Sequence, residues 1–286
     1  MNPVSIAICA VLLSAAASPE ASLRVMTFNL KYASESGPNS WPDRRPVMRE
    51  CIALAAPDVI GTQEGLYQQL KDIEQDHPEY AWIGLGREGG SHGEFMAVFY
   101  RKSRLDPLEF DHFWLSDTPD VVNSRTWGNQ TTRMVTWVRF LDRYTGKQFY
   151  LVNTHLDNAV QVAREKGAEL IAKRLQKLDQ SLPLILTGDF NAPAKANKAY
   201  DILMDAGFTD AWFSASKRLG ENYGTWHGYN PPTKDAPHID WILTRGPVTT
   251  DTAEVVAFHK GSQYPSDHFP VAVQLRFTGA GQGELP

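Results

Sequence analysis

Apolar and polar positions along the chain switch between two periods, and the switches outline its elements. Leu23–Leu30 (LRVMTFNL) alternates as a strand does, and Asp43–Ala55 follows with helical spacing until Pro57. Asp58–Thr62 is a short apolar strand and Leu66–Gln75 a helix, while Tyr80–Gly84, Glu94–Arg101 and Phe113–Leu115 read as strands. Arg133–Leu141 and Gln148–Thr154, joined across Asp142–Gly146, predict a β-hairpin. The longest helix falls at Ala159–Leu178, with Ala168, Ile171, Leu175 and Leu178 on one face. Beyond it the pattern gives strands at Leu184–Thr187, Ile239–Thr244, Thr249–Ala257 and Phe269–Phe277, and a helix at Asn197–Asp205. Hairpins mixed with helical crossovers predict two mixed sheets packed together with helices outside, as one domain over 23–277. The small, polar stretch 278–286 reads as a frayed tail.

Composition narrows the class. The 286 residues are 42% hydrophobic and 21% charged, which excludes disorder and a disulfide scaffold as whole-chain descriptions. A net charge of −5 argues against a protein that coats nucleic acid by charge alone, without excluding nucleic acid as a substrate. Residues 1–17 are uncharged and apolar from Val4 to Ala17, with an Ala15-x-Ala17 pattern before Ser18. This reads as a signal peptide, hence a secreted or periplasmic protein, although the leader lacks Lys or Arg; the alternative is a buried N-terminal helix. Cys9 lies in that leader, so Cys51 is left alone on an apolar helical pattern and reads as a small core residue. No stable membrane insertion and no obligate protein partner are implied.

Candidate chemistry collects where strands end. Asn29, Glu64, His155, Asp189, Asn191, Asp240, Asp267 and His268 each sit at or beside the end of an apolar run. Each alone has an ordinary explanation as a turn former or a satisfied polar residue. Together they suit one crevice, because loops beyond strand ends converge in α/β folds. Carboxylates and amides without cysteine favour a hard cation, Mg²⁺ or else Mn²⁺ or Ca²⁺. Histidines beside carboxylates suit proton transfer and charge stabilisation, so the set as a whole fits phosphoester hydrolysis.

TFNL (27–30), GTQE (61–64), NTHLD (153–157), GDFNAP (188–193), HIDWI (238–242) and SDHFP (266–270) resemble, in order, the motifs of the endonuclease/exonuclease/phosphatase superfamily. The resemblance implies the deoxyribonuclease I-like fold, an α/β (α+β) four-layer sandwich of two packed mixed sheets flanked by helices. It implies Asn29, Glu64 and Asp267 as metal-site residues, with Glu64 the principal ligand. It further implies His155 at the scissile phosphate or leaving group, Asp189 orienting the attacking water, and Asn191 contacting phosphate. His268 then meets a phosphoryl oxygen, and Asp240 fixes its tautomer. His238 departs from the family, where Arg is frequent at that position.

The segment Asn123–Arg133 and Thr225–Gly228 resemble a bacterial branch of the superfamily without a defined substrate. Arg125, Trp127, Arg133 and His227 are therefore candidate substrate-binding residues; the alternative is a packed turn with one aromatic anchor. Glu94 after the Gly-rich 86–93 loop reads as a rim or as a plain hairpin. In Trp41–Pro46, Asp43 reads as a helix cap and Pro46 as a first-turn residue, with Arg44 and Arg45 either reaching substrate or solvated. The expected activity is metal-dependent phosphoester hydrolysis, with a small, lipid-linked or sugar-linked phosphodiester favoured. The alternatives are an extracellular nuclease and, more weakly, a non-catalytic binding module on the same fold.

Overall fold

The computed structural model describes residues 22–278 apart from 232, 234 and 235; the proposed leader and the tail beyond Thr278 lie outside the described residues. The chain opens with β1 (Ser22–Asn29), α1 (Trp41–Ala55), β2 (Val59–Gln63), α2 (Tyr67–Asp76), β3 (Tyr80–Ile83) and β4 (Val98–Arg101). It continues with β5 (Leu105–Trp114), the hairpin β6 (Met134–Asp142) and β7 (Lys147–His155), then α3 (Gln161–Leu175), β8 (Leu184–Asp189) and α4 (Lys198–Asp205). The last part comprises β9 (Thr209–Asp210), α5 (Ala211–Ser214), β10 (Lys217–Leu219), β11 (Asp240–Arg245), β12 (Val248–Val255) and β13 (Val271–Phe277).

The strands form a seven-stranded sheet, β10-β12-β13-β1-β2-β4-β3, and a six-stranded sheet, β5-β6-β7-β8-β11-β9. Val25, Val59, Leu151, Ile185 and Val273 fill the space between the sheets. Met26, Phe28 and Ile60 meet Met48, Cys51, Ile52 and Leu70 under α1 and α2. Leu186 and Val152 meet Ala168, Ile171 and Leu203 under α3 and α4. The result is the four-layer sandwich: helices, sheet, sheet, helices. Central strands β1, β2 and β8 are covered on both faces, which explains their nearly continuous apolar sequences. Burial pushes the Cys51 thiol up to about 12, so it is an inert core residue.

Several elements differ from the sequence pattern. Strand β5 spans ten residues where only Phe113–Leu115 looked strand-like, because Pro107, Glu109 and Asp111 mask the alternation. It is an edge strand with a register shift at Pro107/Glu109, the place where a sheet tolerates proline. Residues 94–97 do not join β4; Phe95 makes only isolated bridges to Gly65 and Gly86. Asp43 is not the cap of α1: it lies in the first turn and accepts a 2.7 Å hydrogen bond from Ser40 Oγ, while Pro46 sits inside the helix.

A polar seam crosses the inter-sheet core beneath the strand ends. Gln63 Nε2 on β2 donates to Asn153 Oδ1 on β7 at 2.7 Å, and Asn153 Nδ2 returns to Thr62 O at 2.7 Å. Thr187 Oγ1 on β8 donates to the same Asn153 oxygen at 3.2 Å. Gly61 makes this approach possible, since a Cβ there would lie 2.1 Å from Thr187 Oγ1 and 2.7 Å from Asn153 Oδ1. Gly61→Ala is expected to lower stability by about 1–3 kcal/mol through overpacking. Chemical denaturation checks this; a wild-type midpoint would show that the sheets can separate freely at this point.

Candidate active site

Strand register brings the site together. His155 at the end of β7 pairs with Asp189 at the end of β8, and Asp189 pairs with Asp240 at the start of β11. From the other sheet, Asn29 ends β1 beside Gln63, and Glu64 follows directly after β2. Asn29 Nδ2 spans the gap, donating to Glu64 Oε1 at 3.1 Å and Asp189 Oδ2 at 2.9 Å. An amide oxygen at that position would face two carboxylates, so the amide nitrogen belongs there. Asn29 Oδ1 instead accepts from Lys31 N at 3.0 Å. In this arrangement Asn29 aligns two carboxylates, one from each sheet.

Lys31, Glu64 and Asn191 have φ of 52°, 62° and 49°. For Lys and Glu this left-handed backbone costs about 1 kcal/mol or more, and it turns the chain sharply where β1 and β2 end. His155 Nε2 lies 2.9 Å from Asn191 Nδ2 and 3.3 Å from Asp189 Oδ2, while among the described residues its buried Nδ1 has no partner. His268 Nδ1 is 2.9 Å from Asp240 Oδ2, which directs Nε2 towards Asp189 Oδ2 at 3.8 Å.

The charges are strongly coupled. Burial alone would raise Asp189, but His155, His268 and the Asn191 N–H hold it below the usual carboxylate range. Glu64 is likewise lowered: burial opposes ionisation, and His155, Lys31 and Asn29 outweigh it. Burial disfavours the His268 cation, yet Asp240 and Asp189 carry its pKa to about 10, so it is cationic at neutral pH. Asp189 is therefore a hydrogen-bond acceptor suited to orienting a water, and a weak base.

The donor set fits a hard divalent cation. Glu64, His155 and Asp189 present ligand atoms within 4.8 Å of one another, as do Asp189, Asp240 and His268. Asp267 stands outside both groups, but Lys31 Nζ lies 3.6 Å from Asp267 Oδ2 and 3.9 Å from Glu64 Oε2. Between those carboxylates the field favours positive charge.

A cleft of about 480 Å³ opens over these groups. Arg133 lines it, as the sequence suggested; Arg125, Trp127 and His227 do not. Arg125 is exposed and donates to Gln130 O within its own loop. Trp127 donates to Asp117 and lines a separate groove against α3. His227 stacks on Phe269 with ring centres 4.2 Å apart, and burial lowers its pKa to about 4, so it is a neutral packing residue. His238 packs at 4.5 Å from Trp212 and also lies off the cleft. Glu94 does line the cleft, ion-paired at 2.6 Å with Arg87. Sequence reasoning missed Lys31, Tyr32, Arg87, Asn158 and Trp226 in the lining. Trp226, 54% exposed, sits one position from the histidine singled out, and Lys31 and Tyr32 directly follow the TFNL motif.

Fold and site together define a metal-dependent phosphoester hydrolase. The chain belongs to the Endonuclease/Exonuclease/phosphatase family, whose model matches residues 26–268. It is 33% identical to an endonuclease/exonuclease/phosphatase from Bacteroides vulgatus, with a TM-score of 0.84 over 90% of this chain and 99% of that one. A Bacteroides thetaiotaomicron mannosyl-6-phosphatase is equally similar, at 33% identity and TM-score 0.84 over 89% of this chain and 100% of that one. D. rerio TDP2, 19% identical with a TM-score of 0.70 over 89% of this chain and 99% of that one, shares the fold. Among proteins compared by sequence, an uncharacterized protein of Acanthamoeba polyphaga mimivirus is 32% identical over 165 residues; the match spans 54% of this chain and 60% of that protein.

Arg44 supports the site from behind and fits neither reading of it from sequence. It is fully buried, and its guanidinium donates to the carbonyls of Leu30, Lys31, Tyr32, Asn39 and Pro265 at 2.8–3.2 Å. It thereby ties the segment after Asn29 to the segment before Asp267. Arg45 turns away to Asp72 and Asp76 on α2, at 3.1 and 2.8 Å. Arg44→Met leaves several buried carbonyls unpaired, each costing about 1–3 kcal/mol. The expected outcome is a lower unfolding midpoint together with weaker Mg²⁺ or Mn²⁺ binding by calorimetry; unchanged metal affinity would confine Arg44 to folding.

Proposed function

We propose that this enzyme hydrolyses a small, sugar-linked phosphoester. One observation carries the reading: the cleft that holds the catalytic set also exposes aromatic side chains, Trp226 at 54% and Tyr32 at 47% exposure. An exposed indole beside a polar cleft suits the apolar face of a sugar ring. The likeness to a mannosyl-6-phosphatase over nearly the whole of both chains supports the same substrate class. Among the described residues, the groove lined by Lys166, Lys173, Arg174 and Lys177 shares no lining residue with the cleft, which favours a compact substrate over an extended polyanion laid along both.

Glu64, with Asp189 or Asp267, would hold a divalent cation, Mg²⁺ or Mn²⁺, which when bound neutralises phosphoryl oxygens as a Lewis acid. Asp189 orients the attacking water. Asn191 and the His268 cation hold phosphoryl oxygens, and Asp240 keeps the imidazolium aimed. His155 stands at the leaving oxygen. The reading of residues 1–17 as a leader supports a periplasmic or extracellular setting for this activity.

A substrate panel tests the proposal: sugar phosphates, sugar phosphodiesters, sphingomyelin, plasmid DNA and RNA, each with Mg²⁺ or Mn²⁺ and with chelator. Turnover of sugar phosphoesters that chelator abolishes, and that Asp189→Asn or His268→Asn lowers by about 10³-fold, is the expected result. DNA degradation with little sugar-phosphoester turnover would overturn it in favour of a nuclease.

A further inference from the structure

The cleft has a second wall that the catalytic set does not use. Arg133 precedes β6 with its side chain only 6% exposed. Among the described residues the one hydrogen bond of its side chain runs from Nη2 to Asn158 Oδ1 at 3.1 Å, and its buried Nε has no partner. The nearest carboxylate, Asp157, is 3.8 Å away and does not complete a hydrogen bond. One oxygen of Asp157 already accepts from Ala159 N and Val160 N at the start of the α3 segment. Arg87, the other guanidinium on this wall, is matched by Glu94 at 2.6 Å.

A buried guanidinium is ordinarily neutralised by a carboxylate in hydrogen-bonding contact, and leaving it without one is costly. Arg133 lines the cleft, and its Nη1, which is not buried, makes no hydrogen bond among the described residues. Burial pushes its proton affinity below the ordinary arginine value despite Glu94 and Asp157, consistent with an incompletely compensated charge. Asn158, three residues beyond His155, fixes the guanidinium on the histidine's side of the cleft. Thr131, two residues before Arg133, also lines the cleft.

We propose that Arg133, with Asn158 and Thr131, forms an oxyanion subsite that reads a negative charge beyond the single one a phosphodiester carries. The inference rests on the phosphoester-hydrolase reading and deepens it, because it makes the preferred substrate a doubly charged ester. Two sources share this chemistry: the second ionised oxygen of a phosphomonoester, and an acidic group elsewhere on the substrate. Either matches the planar fork of the arginine, which a lysine at this position does not reproduce.

The test compares wild type, Arg133→Lys and Arg133→Gln, with Mg²⁺ present. Substrates are p-nitrophenyl phosphate, bis-p-nitrophenyl phosphate, glucose 6-phosphate and 6-phosphogluconate. The wild-type ratio of kcat/KM for monoester over diester is expected to fall about tenfold or more in Arg133→Gln, mainly through KM, with partial recovery in Arg133→Lys. A fall shared by p-nitrophenyl phosphate and both sugar phosphates assigns the charge to the phosphate itself. A fall confined to 6-phosphogluconate assigns it to a separate acid. Equal losses on all four substrates, or no loss on any of them, would overturn the subsite.

Calorimetric binding of inorganic phosphate against dimethyl phosphate supplies a readout without turnover. Selective weakening of phosphate in Arg133→Gln, at an unchanged unfolding midpoint, supports the subsite. Equal affinities for the two anions in wild type, together with no selective loss on 6-phosphogluconate in Arg133→Gln, overturn it. If wild type turns over none of the esters yet shows that selective phosphate binding, the hydrolase reading fails and the subsite stands.

Discussion

The site depends on how closely the two sheets approach at β1 and β2 on one side and β7 and β8 on the other. Apolar side chains fill most of the interval, but at its catalytic end the contact is made by Gln63, Asn153 and Thr187, packed against the bare backbone of Gly61. Buried polar groups in low dielectric are costly unless paired, so this seam permits few alternative registers. One residue further along, the same approach lets a single amide, Asn29, hold Glu64 from one sheet and Asp189 from the other. Neither sheet alone assembles the cluster.

Two further buried groups translate that framework into chemistry. Arg44 draws the loops carrying Lys31 and Asp267 towards α1 by hydrogen bonds to main-chain carbonyls, a task for its five-donor fork that no apolar residue could share. Asp240 orients His268, and the buried negative field keeps that imidazole charged. The cleft is thus a low-dielectric space with arranged charges, which suits a phosphoryl group because little solvent has to reorganise around it.

Much of this was legible in the chain. Strands that are apolar to their last residue and then end in Asn, Glu, His or Asp identify both the layers and the polar cluster the fold assembles, since hydrophobic periodicity and strand-end chemistry are local properties. Residues in the irregular segments were less legible. Trp127 and His227 carry side chains that suit substrate binding, yet one packs against α3 and the other on Phe269, and nothing local distinguishes those fates from a place in the cleft. Arg44 sits in a charged, proline-flanked segment that looks solvated, and its burial follows from loops that are remote in sequence. Strand β5 was obscured because an edge position tolerates Pro107 and charged neighbours.

By itself, the sequence determined the α/β layering, the hard-donor chemistry and the membership of Asn29, Glu64, His155, Asp189, Asn191, Asp240, Asp267 and His268 in a shared motif set. Periodicity and residue type suffice for those, being properties of neighbours along the chain. Tertiary structure alone decided that Arg133 and Arg87 reach the cleft and Arg125 does not, that Trp226 rather than His227 is presented there, and that Asn29 bridges two carboxylates. Those outcomes depend on distances between residues tens to hundreds of positions apart, set by sheet packing and the requirement that buried polar groups find partners.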